Sequence, residues 1–243
     1  MTVGFIIAAG NQSRFNSEIP KALSIYNGKS ILDTNLELME SYCDECYVVC
    51  STQNEKYFNY KNKIIIKSGL GCGDAVLKAL SNYVFNHKYN YDTYCYIQWG
   101  DSIQTKDVYE SIKPRLNIIQ IPYYIEENPY VHLVMNKCNH IDKVLFKKFG
   151  EINNIKNGYH DCSLFYGNIY IIKEACEIFK EHYYKDSCYR NIGHGNEFNF
   201  LDIFNVLCTD ALGVLVEKDI PIAFNTIEEL NKIGGYIENE RIS

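Results

Sequence analysis

A chain of 243 residues with 47% apolar and 22% charged side chains has the balance of an ordinary globular protein. A chain of this length buries roughly 70% of the surface its unfolded form would expose, so it needs no disulfide staples. The formal net charge of −6, with no basic run, argues against a nucleic-acid surface, which needs a clustered positive footprint.

The first elements read as alternating strand and helix. Val3–Ala8 is a short apolar run ending in small residues, a buried strand feeding a loop; it lacks the basic start of a signal peptide. From Ser30, a plausible N-cap, Ile31, Leu32, Leu36 and Met39 recur at helical spacing. Cys46–Cys50 and Lys63–Ile66 read as strands, 74–85 as a helix, 94–98 as a strand and 105–112 as a helix. Such alternation implies a parallel sheet with right-handed crossovers.

The middle of the chain breaks this rhythm. Between residues 118 and 172 the candidate strands 131–135, 143–146 and 162–172 follow one another closely, which predicts an antiparallel insertion. Helical patterns return at 173–184 and 201–207, and strands at 213–216 and 222–224. Thr226-x-x-Glu229 is a capping box for a last helix that Gly234-Gly235 ends. The expected architecture is a single α/β domain, a mostly parallel mixed sheet flanked by helices. Residues 1–115 would form its nucleotide-binding half and 116–243 its acceptor-binding half.

The ten cysteines are scattered, several inside apolar strand patterns, where a free thiol acts as a small hydrophobe. Cys43-x-x-Cys46 has no second pair at zinc spacing. Reduced cysteines and a cytoplasmic location are therefore expected. No apolar run approaches the roughly 18 residues of a membrane span.

Four segments carry chemistry. The first runs from Ile6-Ile7-Ala8-Ala9-Gly10 through Arg14 to Pro20-Lys21-Ala22-Leu23. Side chains as small as Ala8, Ala9 and Gly10 let backbone amides approach a bulky anion, and Arg14 and Lys21 add the charge to neutralise it. In an open α/β sheet such a loop lies at a carboxyl strand end, where ligands bind. The second segment is Gly69-Leu70-Gly71-Cys72-Gly73-Asp74-Ala75, a glycine-rich turn opening a helix. The third is Gln98-Trp99-Gly100-Asp101, which puts a carboxylate at the end of a strand, able to hold a hard cation. The fourth is Phe224-Asn225-Thr226, just ahead of the capping box.

Together these residues resemble the signature of the nucleotidyltransferase family with the Rossmann-like GT-A fold. Ala8, Ala9, Gly10, Arg14, Pro20, Lys21, Leu23 and Gly28 stand in its pattern; Asn11 and Ser13 depart from it where many members carry a second glycine and other small residues. The resemblance implies that the Ala8–Arg14 loop wraps a triphosphate and that Lys21 contacts its phosphates, with Arg14 sharing the catalytic charge. It implies that Gly71 and Asp74 belong to the base-recognition turn, whose form favours a pyrimidine, CTP or UTP. It further implies Mg²⁺ held by Asp101, with Asn225 as second ligand where many members have aspartate.

Pro129-Tyr130-Val131, Lys148-x-Gly150-Glu151 and Gly158-Tyr159-His160-Asp161 resemble the cytidylyltransferases that charge phosphoglutamine in capsular phosphoramidate synthesis. The expected reaction is transfer of CMP from CTP to a small phosphorylated metabolite, L-glutamine phosphate first, with pyrophosphate leaving. Tyr130, Lys148, His160, Asp161, Arg190 and Glu197 are the candidate acceptor contacts. Sugar-1-phosphate and phosphocholine acceptors, a GT-A glycosyltransferase and a non-catalytic nucleotide sensor are the alternatives. Neither nucleic acid nor a membrane is expected as a partner. The chain shows no zinc-spaced histidines and no nucleophile elbow, and a phosphate acceptor, already an anion, needs no general base.

Overall fold

The computed structural model describes residues 1–10, 15, 17–67, 69–87, 90–114, 117–152, 155–190, 196–206 and 210–237. At its centre, Thr2–Ile7 lies between two parallel neighbours, Glu45–Ser51 on one side and Tyr94–Trp99 on the other. Lys63–Ile66 extends the sheet in parallel beyond Glu45–Ser51. Val3, Phe5 and Ile6 are fully buried, as expected of strands covered on both faces.

The covering helices divide by face. Cys72–Asn86 and Ile169–Tyr183 bury Val76, Leu80, Ile172 and Phe179 in one core. Ile31–Glu40 and Lys106–Ser111 bury Leu32, Met39, Val108 and Tyr109 in a second core on the opposite face. Ser30 caps its helix as expected, its hydroxyl accepting the Asp33 amide at 3.0 Å.

The other side of the sheet is antiparallel. Leu164–Asn168 pairs antiparallel with Tyr94–Trp99, and Ile119–Glu127 and Asn157–Asp161 follow. Ala211–Leu215 joins Ile119–Glu127 in parallel. Val131–Met135 and Ile141–Phe146 form a separate hairpin, beside shorter two-stranded pairs such as Tyr184–Lys185 with Cys188–Tyr189. The antiparallel strands are thus largely a continuation of the main sheet rather than an insertion beside it.

Three local differences from the sequence reading have physical causes. The expected strand 162–172 ends at Asn168, whose side chain accepts the amides of Tyr170 and Ile171 and starts a helix at Ile169. The apolar run Ile169–Ile172 is therefore buried helix, which periodicity alone cannot distinguish from strand. The expected helix 201–207 is a 3-10 turn, Phe200–Asp202, followed by the short helix Ile203–Val206, with residue 207 outside the described part. Ile119–Glu127, at nine residues the longest strand described, was not anticipated; Pro122 lies inside it, opposite Val214, and proline normally marks an edge.

Register places one feature precisely enough to matter. Trp99 donates its amide to Ser163, and Leu164 lies opposite Gln98. Asp161 faces Tyr123 and Asn157 faces Glu127. The paired segments 123–127 and 157–161 therefore extend past the level of Trp99 and stand as a wall beyond the carboxyl ends of the parallel strands.

Candidate active site

Two adjacent parallel strands end together, and both lead into motifs. Ile7 lies opposite Trp99, Ala8 donates to Val49, and Gly100 donates to Ile7 at 3.0 Å. A side chain at residue 100 would crowd Ile7 and Ala8, which accounts for glycine there. Ala8 and Ala9 are buried, whereas Gly10 is exposed with open space around it. Arg14 lies outside the described residues.

Lys21 returns to this point. Pro20 and Lys21 form a tight 3-10 turn, with Leu23 donating to Pro20 at 2.7 Å. The Lys21 side chain is 7% exposed, and its ammonium lies 3.1 Å from Asp101 Oδ2. The Asp101 carboxylate is itself 53% exposed, so a buried cation and an accessible anion meet at the strand ends. Eighty residues separate them in the chain.

The fourth motif arrives from the carboxyl-terminal side. Ile222–Ala223 pairs antiparallel with Ser102–Ile103, immediately after Asp101. Phe224 is 1% exposed, and its ring face lies 4.6 Å from the Lys21 ammonium. Asn225 follows it, with its amide bonded to Glu229. Thr226 accepts the Glu229 amide at 3.2 Å, so the capping pair forms with the glutamate reaching one residue ahead of the cap. A small third core of Phe15, Ile31, Ile103, Phe224 and Leu230 packs these segments together.

The glycine-rich turn is held from within the protein. Gly71 has φ +104° and ψ 170°, a conformation essentially confined to glycine. Phe198 donates to Leu70, and Gly73 donates to Phe198. A side chain at residue 71 would meet the Phe198 carbonyl at 2.3 Å, and one at residue 73 its ring at 2.6 Å. These glycines therefore admit Phe198. Asp74 is 4% exposed and accepts from Leu70 at 3.0 Å, Lys78 at 2.7 Å and Tyr189 at 3.1 Å. Its carboxylate anchors the turn.

The acceptor candidates separate into three places. His160 and Asp161 stand on the wall beyond Trp99. His160 Nδ1 lies 2.5 Å from Glu126 and 3.1 Å from the Tyr124 hydroxyl. Burial pulls the His160 pKa down, but the Glu126 bond and the charges of Asp161 and Glu126 outweigh it and the net shift is upward. Asp161 is 6% exposed; burial raises its pKa, while its Oδ1 accepts the Ser163 amide at 2.9 Å.

Tyr130 and Lys148 belong to the hairpin. Tyr130 is exposed and its carbonyl accepts the Lys147 amide, while the Lys148 ammonium lies over Phe149. Arg190, paired with Asp186, and exposed Glu197 lie next to Tyr189 and Phe198. They therefore sit beside the glycine-rich turn rather than on the wall.

Among the described residues no cluster of three or more His, Cys, Asp or Glu side chains is placed to hold a metal. One exposed carboxylate and one amide nonetheless suit Mg²⁺, which keeps waters and completes its shell with substrate phosphates. Sequence reasoning quoted Phe224 inside a motif but gave no role to it, to Phe15 or to Ile103, which are apolar and carry no chemical signature. Their only signal was proximity to motif residues.

Residues 4–95 match the MobA-like NTP transferase domain. The bifunctional protein GlmU of Buchnera aphidicola subsp. Baizongia pistaciae (strain Bp) is 34% identical over 84 residues, covering 32% of this chain and 19% of GlmU. The CTP:phosphocholine cytidylyltransferase LicC of Streptococcus pneumoniae superposes with TM-score 0.70 at 12% identity, over 96% of this chain and 97% of LicC. The inositol-1-phosphate CTP transferase of T. maritima gives 0.67 at 14%, over 95% and 92%. HddC of Yersinia pseudotuberculosis gives 0.65 at 18%, over 96% and 98%, and has also been solved with GMP-PN. Residues 4–95 thus match a MobA-like NTP transferase domain, within an α/β fold that nearly the whole chain shares with these solved structures.

Proposed function

We propose that this protein is a nucleotidyltransferase that joins a nucleoside monophosphate, CMP from CTP, to a small phosphorylated metabolite and releases pyrophosphate. The observation that carries the reading is the meeting of Lys21 and Asp101 at the ends of two adjacent strands, with Phe224–Asn225 beside them. A cation, an accessible anion and the exposed Gly10 at a carboxyl sheet edge suit the binding of phosphate.

The acceptor phosphate attacks the α-phosphorus in line. Lys21 supplies fixed positive charge where the transition state gains negative charge, and being buried it needs little reorganisation. The backbone from Ala8 to Gly10 cradles the phosphates, and Arg14 adds a second cation. Asp101 and Asn225 would hold Mg²⁺, which when bound neutralises phosphate charge. The backbone of the Gly69–Asp74 turn, braced by the Asp74 carboxylate, receives the base. Binding would move Lys21 from Asp101 toward phosphate.

The named neighbours include two CTP enzymes and one protein solved with a guanine nucleotide, so the fold alone does not choose the base. The preference for a pyrimidine rests on the resemblance of the glycine-rich turn, and the choice of CTP over UTP rests on the narrower resemblance to the phosphoglutamine cytidylyltransferases. For the acceptor, the wall carries Glu126 and Asp161 close together around His160, which favours an amine-bearing phosphate such as L-glutamine phosphate, giving CDP-L-glutamine, over a sugar phosphate that carries no amine. A role in capsule modification follows from that acceptor.

The test incubates the protein with Mg²⁺ and each of the four ribonucleoside triphosphates. Amino-acid phosphates, phosphocholine and sugar-1-phosphates are supplied as acceptors. Pyrophosphate should appear chiefly with CTP and an amino-acid phosphate. ATP or GTP preference refutes the base reading, and UTP with a sugar-1-phosphate refutes only the acceptor.

A further inference from the structure

The Lys21 ammonium has an aromatic face beneath it as well as a carboxylate beside it. Phe224 is buried to 1% exposure and is locked by Phe15 at a ring separation of 5.9 Å and by Ile31, Ile103 and Leu230. Its ring therefore has little freedom to turn. A cation within about 6 Å of such a face is attracted by the ring's negative quadrupole, more strongly when water is excluded. Lys21 Nζ, at 4.6 Å on a side chain 7% exposed, satisfies both conditions.

A flexible four-carbon stem places its charge poorly on its own, because lysine loses much rotamer freedom when fixed. We propose that Phe224 is a positioning residue for Lys21, its ring face fixing the ammonium at the strand ends before and during phosphoryl transfer. The proposal rests on the nucleotidyltransferase reading for its kinetic consequence and on geometry alone for the placement. When phosphate draws Lys21 away from Asp101, the carboxylate contact is exchanged but the ring contact remains. Phe224 thus gives the charge a constant support while its anionic partner changes.

Two measurements separate a placed charge from mere packing. The first needs no activity: an ammonium above a ring face brings the neighbouring ε-methylene into the ring's shielding cone. The Lys21 ε-methylene resonance of the whole protein should be shifted upfield and return to the ordinary lysine position in Phe224→Leu. The second replaces Phe224 site-specifically by mono-, di- and trifluorophenylalanine, which keep shape and apolar area but progressively weaken the face. Pyrophosphate release with Mg·CTP and an amino-acid phosphate acceptor should fall stepwise, about tenfold over the series, the scale of a desolvated cation–π contact, with thermal stability little changed.

An ordinary Lys21 resonance in the native protein, or one indifferent to Phe224→Leu, overturns the proposal. So does turnover that ignores fluorination. Absence of pyrophosphate from the native protein with all four nucleotides would instead refute nucleotidyl transfer, and the resonance would still decide the placement.

Discussion

At the scale of single residues, the site depends on charges whose surroundings differ sharply. Lys21 is nearly buried and Asp101 half exposed, so the pair sets a buried cation against a carboxylate that solvent still reaches, a stored arrangement of charge. Lys21→Ala should lower pyrophosphate release at least 100-fold, since a preorganised transition-state charge is worth about 3 kcal/mol. The melting temperature should change little. Near-normal turnover by a folded variant would remove Lys21 from the reaction. His160 makes a different, pH-dependent statement. Its folded pKa is raised, so its protonation stabilises the native state fully below the unfolded value of about 6.5. That contribution is lost as pH rises through the higher folded value. The stability difference between the native protein and His160→Gln should therefore shrink with rising pH across that window; chemical denaturation at a series of pH values measures it.

At the scale of elements, Gly71 of the glycine-rich turn and Gly234 after the last helix show two glycine requirements that can be told apart. Gly234 has φ +83° but open space for a side chain; Gly71 has both φ +104° and the Phe198 carbonyl 2.3 Å from any Cβ. Gly234→Ala should cost about 1–2 kcal/mol, the left-handed penalty alone. Gly71→Ala should cost more and also weaken nucleotide binding, because the turn must separate from Phe198. Equal melting temperatures for the two variants would contradict the close approach. From the sequence these glycines suggested a base-binding turn. What they accommodate directly is the chain's own Phe198, a residue 127 positions from Gly71 and invisible to local reading. Asp74, likewise, looked like a ligand contact and is a helix-start carboxylate bonded by Leu70, Lys78 and Tyr189.

At the scale of the whole molecule, a nucleotide held only by the folded chain raises stability by mass action, roughly 2.7 kcal/mol at 100-fold excess over the dissociation constant. Mg·CTP should accordingly raise the melting temperature, and a chelator or Asp101→Ala should remove the metal-dependent part of that shift. A shift unaffected by either would place the metal ligand elsewhere. The third core ties the site to the whole molecule, because Phe15, Ile103, Phe224 and Leu230 come from widely separated segments and pack together beside Lys21.

Local chemistry was legible in the sequence wherever it depends on neighbours along the chain. The buried strands at Thr2–Ile7 and Tyr94–Trp99, the Ser30 and Thr226 caps, and the small residues at Ala8–Gly10 are all of that kind, since period, capping and backbone clearance act over a few residues. Convergence was legible only as far as the family resemblance implied it. That Asp101 would meet Lys21, that Phe224 would lie under it, and that segments 123–127 and 157–161 would rise beyond Trp99 depend on strand pairing between distant segments. Pairing is chosen by burial of whole faces against one another, a quantity no short window of sequence contains.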